Sequence, residues 1–239
     1  MGDSRKHRTV IISGNGNIVA GGSVIINGVR VGGGEHFEGV VGSGNLARET
    51  RDLPGFSGIR VASCVDVQVS FGAEQKVEIE ADDNLLALVE TSIVERPGFA
   101  HVTTLNVGVR ESLSTDRPLV VHVTMAHPLV RVEVAGSGDV GLQGLAQGDL
   151  ELSIRGSGNI RATGEVVRLN ATVQGSGDMK LRALSAAIAQ LDVQGSGDIT
   201  ATVTKSVIAN VMGSGDITIL GDPPARQTQV YGSGDIEFD

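Results

Sequence analysis

The sequence predicts an all-β fold: a β-solenoid wound from coils of about 19 residues, with one short flanking helix. Three observations predict it. The string Gly-Ser-Gly-Asp/Asn recurs at near-constant spacing through the second half of the chain. Between the copies, apolar and polar residues alternate strictly, the signature of a half-buried strand. The composition is rich in glycine and poor in rings: 239 residues contain 34 Gly, five Phe, one Tyr and no Trp. That glycine content is about twice the usual ~7 %. With only 6 Pro and no three-residue Gly period, collagen is excluded. At 40 % hydrophobic and 20 % charged residues, so is a disordered chain.

Taken in order, residues 1–41 are Gly-rich and irregular, with strand signals at Val10, Ile12, Ile18, Val24 and Ile26. They read as an irregular N-terminal segment or cap. Residues 42–239 read as one solenoid domain. Over 51–81, Ile59, Val61, Val65, Val67, Val69 and Phe71 share one parity. Val77, Ile79 and Ala81 follow after a turn at Gly72, so this stretch is strand. Asp82-Asp83-Asn84 then precedes Leu85, Leu88, Val89 and Ile93, which fit helical spacing. An Asx N-cap before them and Pro97-Gly98 after them predict the one helix. Residues 100–134 return to alternation, with Pro118 and Pro128 at turns, as are Pro223 and Pro224 further on.

From residue 136 the corner string appears six times. The copies are Gly136-Ser137-Gly138-Asp139, Gly156-Ser157-Gly158-Asn159 and Gly175-Ser176-Gly177-Asp178. They continue as Gly195-Ser196-Gly197-Asp198, Gly213-Ser214-Gly215-Asp216 and Gly232-Ser233-Gly234-Asp235. The intervals are 20, 19, 20, 18 and 19 residues. A further copy starts at Gly42 and a variant, GNGNI, at Gly14. In Leu191–Val193–Gly195–Gly197–Ile199 every second residue is apolar or Gly. The expectation is that both glycines face inward, where a narrow core admits no side chain, while Ser and Asp face outward. Stacked at ~4.8 Å, roughly ten coils from Gly42 onward would make a rod of ~50 Å. Its ends would expose strand edges, which calls for a cap from residues 1–41 or for homo-oligomerisation through the ends.

The net charge of −9 and a pI near 5.0, with no basic cluster beyond Arg5, Lys6 and Arg8, argue against a nucleic-acid or anionic-membrane partner. Cys64 is the single cysteine, so neither an intrachain disulfide nor a Cys-based metal site is expected. No apolar run approaches the ~18 residues of a membrane span. No signal-peptide core is visible near the start, which by default suggests the cytoplasm.

Gly42-Ser-Gly-Asn45, Glu49-Thr-Arg51, Phe56-Ser-Gly-Ile59, Asp83-Asn-Leu-Leu86 and the serial coils to a GSGDIEFD end resemble a bacterial family, the "putative auto-transporter adhesin, head GIN domain". The resemblance spans about residues 42–239. It implies a right-handed β-helix-like solenoid and a cell-surface or secreted setting, because relatives usually carry a signal peptide or lipid anchor. It brings no catalytic residues with it.

Candidate chemistry starts with Asp139, Asn159, Asp178, Asp198, Asp216 and Asp235, which should line up down one corner. Carboxylates at that spacing repel by roughly 1 kcal/mol per pair in water. Calcium between Asp178, Asp198 and Asp216 is therefore a weak candidate. The favoured reading is turn chemistry, in which the side chain accepts a backbone N–H, as Asn does equally well. The six equivalent Ser lack a nearby His and read as a structural ladder rather than nucleophiles. Gly136 to Gly141 matches G-x-G-x-x-G, but a strand follows where a dinucleotide site needs a helix. His7, His36, His101, His122 and His127 show no metal spacing, although His101 and His122 could meet across coils. Cys64 lacks the electropositive setting of a reactive thiol. The row before the corners, Ala135, Arg155, Gln174, Gln194, Met212 and Tyr231, holds a single ring and no acid–base constellation. The expectation is a non-catalytic, cofactor-free adhesin-like or scaffold solenoid that binds a glycan or protein partner. The alternatives are a polysaccharide-acting β-helix enzyme and a calcium-stabilised structural module.

Overall fold

A computed structural model of the chain describes residues 18–20, 23–26, 29–31, 39–95 and 102–239. The variant at Gly14, the pair Pro97-Gly98, and His7, His36 and His101 lie outside these residues. The first strands are β1 (Ile18–Ala20), β2 (Ser23–Ile26), β3 (Val29–Val31) and β4 (Val40–Val41). There follow β5 (Leu46–Arg51), β6 (Gly58–Val61), β7 (Asp66–Phe71), β8 (Lys76–Asp82), β9 (Val89–Glu95) and β10 (Thr103–Val109). After β11 (Leu113–Ser114) come β12 (Val120–Met125), β13 (Arg131–Val134), β14 (Val140–Ile154), β15 (Ile160–Val173) and β16 (Met179–Val193). The chain closes with β17 (Ile199–Val211), β18 (Ile217–Leu220), β19 (Ala225–Val230) and β20 (Ile236–Phe238).

The all-β solenoid expected from the repeats is present, with about five turns. Strands β14, β15, β16 and β17 lie parallel, each paired along its length with the next. A coil is the second half of one strand, a Gly-Ser-Gly corner and the first half of the following strand. The buried residues of β16 show how the chain bends around the core. Met179 and Leu181 point inward, then Leu184 and Ala186, then Ala189, Leu191 and Val193. Each step of three residues reverses the parity and turns the chain, giving three faces per coil. Register shifts at these steps mark the bends. The core is Val, Ile, Leu, Ala and Met, and Phe56 is the one ring buried among the described residues.

The first half of the chain departs from serial winding. Strand β6 lies between β10 and β13, and β7 between β12 and β14. The coil formed by β6 and β7 is therefore entered first, but it sits inside the stack. The chain leaves it for the edge through β8 and β9, returns as β10 and β12, then crosses to β13. At that edge β8 runs antiparallel to β12 and β5, and β9 runs antiparallel to β10. Ten serial coils starting at Gly42 are thus replaced by about five turns and an antiparallel end. A separate sheet joins β1 to β4 in antiparallel order, with β11 parallel to β4.

The flanking helix contracts to one 3-10 turn, Leu86–Leu88, and Val89–Glu95 is strand instead. Val89, Thr91 and Ile93 fit a period of two as well as Leu85, Leu88 and Ile93 fit a helix. Seven paired residues against β10 decide between them. The Asx residues meant to cap the helix are also engaged elsewhere. Asp83 accepts the Ser43 hydroxyl, and Asn84 takes the Ser43 N–H at 2.9 Å and donates to the Val41 carbonyl at 2.9 Å. This places the copy at Gly42–Asn45 outside the corner column, as a turn tied to Asp83 and Asn84.

The Ser43 hydroxyl and the Asn84 N–H hold the Asp83 carboxyl below its usual value. The folded state therefore favours the charged form, and this contribution is present above the unfolded pKa near 3.8. It is lost as the pH falls through the lowered folded value. Urea midpoints measured from pH 7 to pH 2.5 should show an acid limb that is shallower in Asp83→Asn, which has no charge to lose.

Candidate functional site: the corner ladder

The six corners stack in one column. The carbonyl oxygen of each first glycine accepts the N–H of the serine one coil on: Gly136 from Ser157 at 3.0 Å, Gly156 from Ser176 at 3.1 Å, Gly175 from Ser196 at 3.0 Å. The same bond runs from Ser214 to Gly195 and from Ser233 to Gly213, both at 3.0 Å. The glycines serve this approach. A Cβ on Gly156 would overlap the Gly136 carbonyl oxygen, and one on Gly175 would overlap that of Gly156. The second glycine of each pair meets its predecessor likewise, as Gly177 meets Gly158, Gly197 meets Gly177, Gly215 meets Gly197 and Gly234 meets Gly215. The direction corrects the sequence expectation. The space denied to a side chain lies along the stack, against backbone, rather than inward against a narrow core. The serines are exposed, as their parity required.

The Asx side chains form a second ladder beside the first. Asp139 Oδ1 accepts the Asn159 N–H at 2.8 Å and the Asn159 Nδ2 group at 2.9 Å. Asn159 Oδ1 accepts the Asp178 N–H at 2.9 Å, and Asp178 that of Asp198 at 3.2 Å. Asp198 accepts from Asp216, and Asp216 from Asp235, both at 2.8 Å. Each of these five side chains therefore accepts a backbone N–H from the next coil rather than from its own turn, whereas the last, Asp235, accepts that of Ile236 at 2.8 Å. Only an acceptor oxygen is needed, which is why Asn159 fits among carboxylates. For Asp178, Asp198 and Asp216 this leaves one oxygen of each bonded to backbone. Among the described residues no three His, Cys, Asp or Glu converge on a common point.

The ladder begins one coil earlier than the motif reveals. Asp66 Oδ1 accepts the Asp139 N–H at 2.8 Å, and a Cβ on Gly136 would strike the Ser63 backbone. Ser63-Cys64-Val65-Asp66 is therefore a corner without glycine. On its far side lies the longer connection of residues 110–119, not another Gly-Ser-Gly corner, so a Cβ is tolerated. The Asx at the fourth position is the one sequence signal of this corner. Cys64 takes the exposed serine position.

The remaining candidates stay apart. His122 Nε2 stands 3.5 Å from Glu80 Oε2 at the antiparallel end, and His127 is exposed on a connection. In the row before the corners, Gln174 Nε2 donates to Gln194 Oε1 at 3.2 Å, and Met212 and Tyr231 are exposed. A buried charge, Glu133, is 3 % exposed, with Arg60 Nε at 3.3 Å and Arg155 Nη1 at 3.6 Å. No helix among the described residues is long and apolar enough to cross a membrane.

Two outcomes follow from the ladders. Gly175→Ala should lower the unfolding free energy by about 2 kcal/mol or more, because backbone must shift. Gly148→Ala, with nothing within 4 Å of the added Cβ, should stay within about 0.5 kcal/mol of wild type in the same urea titration. Asp198→Ala should cost about 1 kcal/mol, because the Asp216 N–H loses its acceptor. Asp198→Asn keeps the acceptor and removes a like charge, so its melting temperature should equal or exceed that of wild type.

Several known proteins share this architecture. A putative adhesin from Bacteroides fragilis matches with a TM-score of 0.67 at 21 % identity, covering 84 % of this chain and 100 % of its own. A putative lipid binding protein from Parabacteroides distasonis matches with a TM-score of 0.50 at 20 % identity, over 84 % of this chain and 100 % of its own. A putative adhesin from Parabacteroides merdae gives 0.50 at 20 % identity, over 84 % and 98 %. At these identities the likeness is one of fold. No curated protein matches the chain. The family model described as "putative auto-transporter adhesin, head GIN domain" matches residues 55–223, from the connection before β6 to Pro223. With that span covered, the chain belongs to the putative auto-transporter adhesin, head GIN domain family.

Proposed function

We propose that this protein is a non-catalytic adhesin-like module that holds a glycan or protein partner against the outer faces of its coils. The observation that carries this reading is the register of the stack. Parallel coils paired residue for residue set outward side chains in straight rows, such as Gln68, Gly141, Arg161 and Lys180. Such rows form a rigid surface ordered before any partner arrives, so little conformational entropy is lost on contact. Family membership and the adhesin-named neighbours support the same reading.

Self-association through the last coil is disfavoured by Arg226. This residue is in register with buried Val207, yet its guanidinium lies 4.2 Å from the Phe238 ring centroid and donates to the Pro223 carbonyl at 2.8 Å. A charge at an inward position blunts an open strand edge.

The test is a combined glycan and protein array, probed with a labelled, multimerised form and with an unrelated solenoid as control. Bound glycans are then recovered and sized. Selective retention of intact ligands is expected. Uniform absence of binding, or release of new reducing ends, would overturn the proposal.

A further inference from the structure

The outer row that follows the corners has one gap. His122, Gln68, Gly141, Arg161 and Lys180 are successive neighbours across β12, β7, β14, β15 and β16. All but Gly141 carry long polar side chains. The missing side chain leaves a notch of about 320 Å³, walled by Gln68, Asp139, Gln143, Arg161 and Thr163. The Gln68 amide leans over the glycine, and a Cβ on Gly141 would overlap its Oε1.

The groups around this notch have unused hydrogen-bonding capacity. Asp139 Oδ1 takes both Asn159 donors at 2.8 and 2.9 Å, which leaves Oδ2 open. Neighbouring cations are paired: Arg168 with Asp149 at 2.8 Å and Lys180 with Asp178 at 3.5 Å. Arg161 makes no such pair among the described residues, and the Gln68 and Gln143 amides make no hydrogen bond among them. Arg161, two glutamines and Asp139, with these groups unspent, therefore line a space at the small end of the ~300–1,000 Å³ typical of ligand sites.

We infer that the Gly141 notch binds a single neutral saccharide ring through adjacent hydroxyls. This rests on the adhesin-like reading above and names the ligand class of that surface. Vicinal hydroxyls donate and accept at once. They can donate to Asp139 Oδ2 and to an amide oxygen, and accept from Arg161 and an amide nitrogen. A simple anion would use Arg161 but meet the charge of Asp139 and the −9 of the whole chain. No ring lines the notch, so the apolar face of a sugar finds no platform there. A single site is therefore weak, in the millimolar range, where capture of a glycan-covered surface depends on many copies acting together.

The test is ¹⁵N-correlated NMR of the full chain, titrated with a panel of methyl pyranosides and, separately, with acetate and inorganic phosphate. At least one pyranoside should shift the amides of Gly141 and Gln143 and the Arg161 side chain. Gly141→Gln, which fills the notch, and Arg161→Ala should each weaken that binding at least tenfold. Arg168→Ala, seven residues further along β15 and paired with Asp149, should leave it unchanged. No shift with any pyranoside, equal shifts in both notch variants, or shifts with the anions alone would overturn the inference. The array separates the two readings. A wild type and Gly141→Gln that bind there equally leave the adhesin-like module standing and remove the notch. A wild type that binds nothing there removes both.

Discussion

The structure depends on how closely one corner can sit on the next. The carbonyl of the first glycine accepts an N–H from the corner above at about 3 Å, and that distance leaves no volume for a Cβ between them. Ordinary strands avoid the problem because their side chains project perpendicular to the stacking direction. At a tight corner the Cα–Cβ vector turns along the stack, and only glycine accommodates it. Doubled glycine content and stacked coils are therefore the same fact. Where the neighbour is a wider connection, as at Ser63–Asp66, the restriction lapses and so does the glycine.

The Asx ladder takes up what the corner leaves unpaired. As the backbone turns, the N–H of the fourth residue has no carbonyl of an adjacent coil in reach, and the side-chain oxygen one coil back supplies the acceptor. Four consecutive aspartates, 178, 198, 216 and 235, share this arrangement at a cost in mutual repulsion. Backbone N–H dipoles aimed at each carboxylate offset part of that cost. In its geometry this row of Asx residues is a row of side-chain caps.

With corners and interior committed to architecture, partner chemistry is left to the outward rows. These differ along the stack because nothing structural constrains them. Along the stack a buried glutamate sits between arginines of neighbouring coils, a glutamine pair links the next two coils, and methionine and tyrosine stand exposed on the two after that. The Gly141 gap belongs to this variable set. Its glycine follows the corner motif without being part of it, and the side chain it gives up opens space toward solvent.

Much of this was legible in the sequence, because its causes are local and repeated. Strict alternation in Leu169–Val173 and Leu191–Val193 fixes which residues are buried, and the spaced glycines fix where coils turn. Legibility ended where two local readings were equally good. Val89, Thr91 and Ile93 suit a strand as well as a helix, and the β10 partner settles it. The copy at Gly42 has the corner string but pairs with Asp83 and Asn84, and Asp66 has the corner role without the string. The sequence by itself determined an all-β solenoid, its core residues and its exposed serines. Only the tertiary structure decided that β6 and β7 insert between later strands, that the glycines yield to a neighbouring carbonyl, and that Gln68, Asp139 and Arg161 line one notch at Gly141. Each of these depends on which distant backbone lies alongside, and no window of the chain contains that information.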